Sequence, residues 1–186
     1  MSINSCKSCF TIGNDQSVDL FDGVWRCPPE GYIKLNGDGA VSNDGNGSCG
    51  GVVRDSEGKF IIAFSRALGQ CSIIQSELWA ILQGLRIILN QCLGWQVLIE
   101  TDSMEAVKLI EEGCVRNHPC YELVQDIKVL TLRLTAFSCY YITREANIVA
   151  DRLAKNRAGR EEGPSVYESP PKFLLSLLAI DRVGII

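Results

Sequence analysis

Tyr32-Ile33-Lys34-Leu35-Asn36-Gly37-Asp38 alternates apolar and polar side chains with a period of two and ends on a carboxylate. Such alternation marks a strand with one face on a core. Asp38 falls on the pleat side of Lys34 and Asn36, opposite Ile33 and Leu35. Downstream, the four glycines of Gly45–Gly51 read as a turn leading into Val52-Val53-Arg54. Asp55-Ser56-Glu57-Gly58 reads as a hairpin turn and Lys59–Ser65 as the returning strand. The period then changes to 3.6: Ile74, Leu78, Ile81, Leu82, Leu85, Ile88 and Leu89 form one helical stripe, and Ser72 with Gln75 has capping-box spacing. Val97-Leu98-Ile99 is a short unbroken apolar run, as expected of a buried central strand. Ser103–Glu112 and Pro119–Leu134 predict two helices, Phe137–Ile142 a fifth strand and Ala146–Arg157 a last helix. The order β-β-β-α-β-α-α-β-α predicts an α/β layer on a mixed sheet.

This patterned region spans residues 31–159. Residues 1–30 show little periodicity, close on Cys27-Pro28-Pro29 and read as an irregular arm. Residues 160–186 read as a tail, with Phe173–Leu178 either a short helix docked on the domain or an interaction segment. Apolar residues make up 46% and charged residues 22% of the chain, which excludes a wholly disordered protein. The nine cysteines are odd in number and irregularly spaced, a poor disulfide framework. Cys6 and Cys9 have the spacing of half a zinc site but lack a second pair, so an unpaired motif is the simpler reading. With no signal-peptide core and no membrane-length apolar run, the expected location is nucleus or cytoplasm, not secretion.

Four acids stand at element ends or inside apolar patterns, where an unpaired charge is expensive. Asp38 follows the first strand. Asp102 follows the central strand, at the end where open α/β sheets place their chemistry. Glu77 lies at the edge of the packed face of the first helix, and Asp151 lies between Ala150 and Ala154, whose small side chains let a helix approach the sheet. Each has another explanation: Asp38 as a turn residue, Asp102 as a helix cap, Glu77 as a partner for Arg54 or Arg66, Asp151 as a solvated acid. If strands one and four are neighbours, all four can converge on one edge. Crowded carboxylates raise one another's pKa unless a hard cation such as Mg²⁺ neutralises them.

The runs Lys34–Ala40, Gln75–Ala80, Ile99–Ser103 and Thr143–Ala154 resemble the ribonuclease H family, and more narrowly the plant ribonuclease H-like domains related to non-LTR retrotransposon reverse transcriptases. The resemblance covers roughly residues 25 to 180. It implies a ribonuclease H-like fold with a five-stranded mixed sheet in the order 3-2-1-4-5. It further implies a two-Mg²⁺ endonuclease, with Mn²⁺ able to substitute, that cuts the RNA strand of an RNA–DNA hybrid to leave a 5′ phosphate and a 3′ hydroxyl. Carried over, Asp38 would bridge both metals, Asp151 would complete the site that activates water, and Glu77 and Asp102 would hold the metal at the leaving oxygen. A monomer with nucleic acid as its partner is expected.

The sequence departs from the best-studied members of that family in its histidine-bearing loop, which is absent: Tyr141-Ile142-Thr143-Arg144-Glu145 runs directly into the last helix, and His118 lies elsewhere. No basic protrusion separates the two middle helices, where only Cys114-Val115-Arg116-Asn117 intervenes. Neither a polymerase domain nor a separate hybrid-binding module is expected within these 186 residues, so a weak grip is expected of them. These features motivate a rival reading, a retroelement-derived nucleic-acid-binding or adaptor domain with little catalysis. A third, a nuclease for double-stranded RNA or structured DNA, would use the same acids. Trp79 and Trp95 are candidates for base stacking, and Arg144, Arg152, Lys155 and Arg157 for phosphate contacts, each against a plain packing or solvated role. The net charge of −4 does not exclude nucleic acid: residues 31–159 carry 13 basic and 14 acidic groups, and four of those acids are the candidate ligands.

Overall fold

β1 (Ile33–Val41), β2 (Asn46–Arg54) and β3 (Phe60–Gln70) form the antiparallel meander that the alternating pattern predicts. They are followed by α1 (Ile73–Asn90), β4 (Gln96–Thr101), α2 (Met104–Glu112), α3 (Tyr121–Thr131) and β5 (Ala136–Tyr141). A 3-10 turn, Arg144–Asn147, runs into α4 (Ile148–Lys155). β6 (Ser165–Tyr167), a second 3-10 turn, Lys172–Leu174, and α5 (Leu175–Val183) complete the elements of the described residues. The structure, a computed structural model, describes residues 23–156 and 163–183. Cys6, Cys9, most of the N-terminal arm and Arg157 lie outside these residues. Among the described residues no cysteine is in a disulfide, and no helix is long and apolar enough to cross a membrane.

The strand order is β5-β4-β1-β2-β3-β6, with β1, β4 and β5 parallel and the rest antiparallel. Its first five strands have the expected order; the sixth corrects the five-strand expectation. Ser165–Tyr167 of the tail pairs with Ala63–Ser65 and covers the middle of the edge that β3 would otherwise expose. The tail then lays Leu174 and the half-buried Phe173, Leu177 and Leu178 against Val52, Ala63, Val149 and Leu153. On the opposite face, α1 packs Leu78, Ile81, Leu82, Leu85 and Ile88 into the main core with Leu35, Val97 and Ile99. The capping box that starts α1 is present: Ser72 Oγ accepts from Gln75 N at 3.3 Å, and Gln75 Oε1 accepts from Ser72 N at 2.9 Å.

The glycines of Gly45–Gly51, expected to form a turn, are mostly strand: β2 begins at Asn46 and only Gly45 remains in the turn. Tertiary packing overrides the weak strand propensity of glycine here. A Cβ on Gly50 would lie 2.5 Å from the Leu153 carbonyl carbon and 2.6 Å from Leu153 Cβ, so α4 rests directly on the backbone of β2. Gly50→Ala should therefore cost roughly 2 kcal/mol or more through overpacking. Gly69→Ala, where a Cβ would touch nothing but φ is +72°, should cost only ~1 kcal/mol of backbone strain. Urea unfolding of both variants measures the difference; equal losses would contradict the close approach of α4.

Candidate active site

β1 runs in register with β4 only as far as Asn36 opposite Glu100. One residue later β4 ends, and Asp102 leads the chain towards α2. Asp102 is not the helix cap: Ser103 is, its hydroxyl accepting from Ala106 N at 3.2 Å. The Asp102 carboxylate is thus left to face Asp38, two residues further along β1. Glu77 joins them from α1 because the helix lies unusually close to β1 at Gly39, where a Cβ would be 2.5 Å from Glu77 N. Thr101 Oγ1 donates to Glu77 Oε2 at 3.4 Å, and the Gly39 N–H also bonds this carboxylate. One carboxylate oxygen from each of Asp38, Glu77 and Asp102 lies within 4.8 Å of the others.

This crowding sets the electrostatics. Burial, then the charges of Glu77 and Asp102, a hydrogen bond with Asp102 and the charge of Asp151 push the Asp38 carboxyl up to about 9. Burial and the nearby Asp102 push Glu77 up to about 8, against the Gly39 and Thr101 hydrogen bonds and the charge of Arg144. The donor set is all oxygen, with Asp38 and Glu77 buried and Asp102 partly so, and it is mutually repulsive when ionised. Its chemistry fits a hard divalent cation, which such sites take in preference to soft metals.

Asp151 stands apart from the trio. It is half-buried on the first turn of α4, outside the 4.8 Å cluster, and Lys155 Nζ sits 2.6 Å from its Oδ1. It is still near enough for its charge to act on Asp38. Neither arginine suggested as a partner for Glu77 serves as one: Arg54 pairs with Asp181, and Arg66 donates to Gln83.

Two residues near the cluster act on Asp102. Asn147, buried, donates from Nδ2 to Asp102 Oδ1 at 3.1 Å and to the Gly37 carbonyl at 3.0 Å. Arg144, whose side chain is 90% exposed, places Nε 3.2 Å from Asp102 Oδ2. Arg144 was a candidate phosphate contact from sequence, whereas Asn147 carried no signal beyond its place in the run around Asp151. The remaining candidates spread out. Trp79 is half-buried beneath Arg66 and Arg86, with centroid distances of 5.0 and 5.7 Å, while Trp95 is exposed. His118 lies between α2 and α3, where its Nδ1 accepts from Cys120 N at 3.1 Å.

The family model described as reverse transcriptase-like matches residues 36–157. An Arabidopsis thaliana protein named as a ribonuclease H protein is 33% identical over 161 residues, which is 86% of this chain. The chain spans only 26% of that relative's length. RNase H1 from the archaeon Halobacterium salinarum superposes with a TM-score of 0.62 at 21% identity, covering 67% of this chain and 95% of that one. The N-terminal RNase H domain of a Mycobacterium tuberculosis protein gives 0.63 at 20% identity, covering 67% and 91%. LC11-RNase H1, solved in complex with an RNA/DNA hybrid, gives 0.57 at 21% identity, covering 65% and 92%. At these identities the structural likeness is one of fold.

The raised carboxyls carry a pH signature. Unfolded Asp and Glu titrate near pH ~4. Held at about 9 and about 8, Asp38 and Glu77 keep their protons in the folded state well above that. Between these limits the folded protein binds more protons, so its stability falls as pH rises. In chelator, the melting temperature should drop between about pH 5 and about pH 9, and Asp38→Asn should flatten the drop. Differential scanning fluorimetry across that range is the check; a flat or rising wild-type curve would contradict the crowded cluster.

Proposed function

The chain belongs to the reverse transcriptase-like, ribonuclease H family, and from that premise we propose that it is a divalent-metal-dependent endonuclease acting on the RNA strand of RNA–DNA hybrids. The observation that carries this reading is the largely buried cluster of Asp38, Glu77 and Asp102 at the end of β4. In the proposal these three and Asp151 hold Mg²⁺, two ions per site, with Mn²⁺ able to substitute. Bound there, the ions supply Lewis-acid stabilisation of the attacking and leaving oxygens of a phosphodiester.

The chain's own residues set the conditions for that chemistry. Asp38 and Glu77 give up their protons to become ligands, and burial keeps competing water away from them. Asp151 exchanges its Lys155 partner for the site, which its 39% exposed side chain leaves room to do. Arg144 presents an exposed guanidinium beside Asp102, on the side open to solvent, where a phosphate of the substrate can take it over. RNA would be told from DNA by contacts to its 2′-hydroxyls across the wide minor groove. The catalytic unit in this reading is residues 31–159 with the tail docked on it, working as a monomer in nucleus or cytoplasm. The family description and the Arabidopsis relative support a retroelement ancestry shared with plants.

One observation favours the adaptor reading: Arg144 and Lys155 already place the chain's own cations on Asp102 and Asp151. A nucleic-acid-binding domain without turnover would keep them there. A labelled hybrid incubated with the protein in Mg²⁺ and in Mn²⁺ separates the two readings. Cleavage with 5′-phosphate products is expected, falling on the order of 100-fold or more in Asp38→Asn and in Asp102→Asn. Cleavage in neither metal, or cleavage surviving both substitutions, would sink the nuclease; retained hybrid binding without cleavage would support the adaptor.

A further inference from the structure

A second polar cluster lies behind the acids, and it starts in the C-terminal helix. Asp181 on α5 is 6% exposed and accepts from Arg54 NH1 at 2.6 Å. Arg54, at the end of β2, is 2% exposed and stacks 3.5 Å above the ring of Trp25. Its NH2 donates to Asn36 Oδ1 at 2.9 Å, and Trp25 Nε1 donates to the same oxygen at 2.8 Å. With Oδ1 doubly occupied, the amide of Asn36 can point only one way. Its Nδ2 then faces Glu100 Oε2 at 2.9 Å and Asn147 Oδ1 at 3.5 Å. Asn147 in turn holds Asp102 through Nδ2 at 3.1 Å. Lys34 closes the cluster from the side, donating to Glu100 and to the Arg26 carbonyl.

Stability alone is a poor reason for such an arrangement. Buried ion pairs cost nearly as much desolvation as they return, and apolar residues of similar volume often serve as well. Burial pushes Asp181 up and Arg54 down, and the partner's charge opposes the shift in each case. Arg54 Nε has no acceptor at all among the described residues, a further cost of placing a guanidinium here. What the cluster does supply is orientation. Each amide has its carbonyl and amino ends assigned by a charged neighbour, and the last one in line contacts a candidate metal ligand.

We infer that Asp181 and Arg54 are positioning residues: α5 fixes the aim of Asp102 through Arg54, Asn36 and Asn147. The tail is then part of the site's machinery, and it acts on Asp102 through Arg54. The functional half of this inference rests on the metal reading of the acids, so its test has an arm that does not.

In the metal-free, ¹⁵N-labelled 186-residue chain, the side-chain NH₂ signals of Asn36 and Asn147 report the relay directly. Asp181→Ala should move both, and Asp181→Asn, which keeps an acceptor for Arg54 and guards against loss of the fold, should move them less. Ile180→Ser, on the exposed side of α5, should move neither. In calorimetric titration with Mn²⁺, Asp181→Ala should bind on the order of 10-fold more weakly than wild type, the range typical of groups that orient a metal ligand. In an Asp102→Asn background the same change should have no further effect. Unmoved Asn147 signals would overturn the relay. Unchanged Mn²⁺ affinity with a lowered melting temperature would make Asp181 merely structural. Wild-type protein that takes up no Mn²⁺ would instead sink the metal reading, and with it the role assigned to the relay.

Discussion

A carboxylate on β1 can meet one on α1 only if the helix lies closer to the sheet than a methyl group allows. Gly39 meets that condition beside Asp38, where a Cβ would be driven into Ser76 and Glu77. Gly50 does the same on the other face, bringing α4 and Asp151 down onto β2. The layers of an α/β fold normally stand apart by the thickness of interdigitating side chains. Here they are pinched together at one point, and the acids gather at that point. The rest of the architecture serves to hold the pinch: a capped and deeply buried α1, a β4 that stops short, and a tail that covers α4 and the edge of β3.

The pinch carries an electrostatic penalty, since three carboxylates share a space from which water is largely excluded. Burial and the neighbouring charges push the Asp38 and Glu77 carboxyls up, so in the metal-free protein protons relieve it there first. Arg144 relieves it from the rim at Asp102, while Lys155 pairs with the neighbouring Asp151. A hard divalent cation would relieve it more completely, which is the physical content of the proposed function. The overall charge of −4 is compatible with a nucleic-acid substrate for the same reason, because four of the 14 acids of residues 31–159 are those a cation would neutralise.

Much of this was legible in the sequence because local and tertiary demands agree there. The 3.6-residue stripe of α1, its Ser72–Gln75 box and the unbroken run before Asp102 each report burial directly. Asp38, Glu77 and Asp102 were legible because acids beside apolar patterns are rare without a reason. Gly45–Gly51 misled: glycine's local preference is for turns, and the close approaches that favour a strand there, of α4 to Gly50 and of Phe64 to Gly51, are tertiary. Lys155 lies four residues from Asp151, a spacing that suggests an ion pair on a helix, but which of several partners a surface lysine takes is not written in spacing. The pairing of Ser165–Tyr167 with β3, the burial of Trp25 and the Arg54–Asp181 pair join segments far apart in the chain, and no periodicity encodes such contacts.

If the carboxyls keep their protons until a cation displaces them, metal binding must release protons. Titration calorimetry of Mg²⁺ into the protein near neutral pH, repeated in buffers of different ionisation enthalpy, measures that release without reference to any substrate. The structure calls for an apparent binding heat that varies with the buffer and a release of about one proton or more per protein, reduced in Asp38→Asn. A buffer-independent heat would mean that the acids are already ionised, and the crowded, cation-seeking cluster would be contradicted at its root.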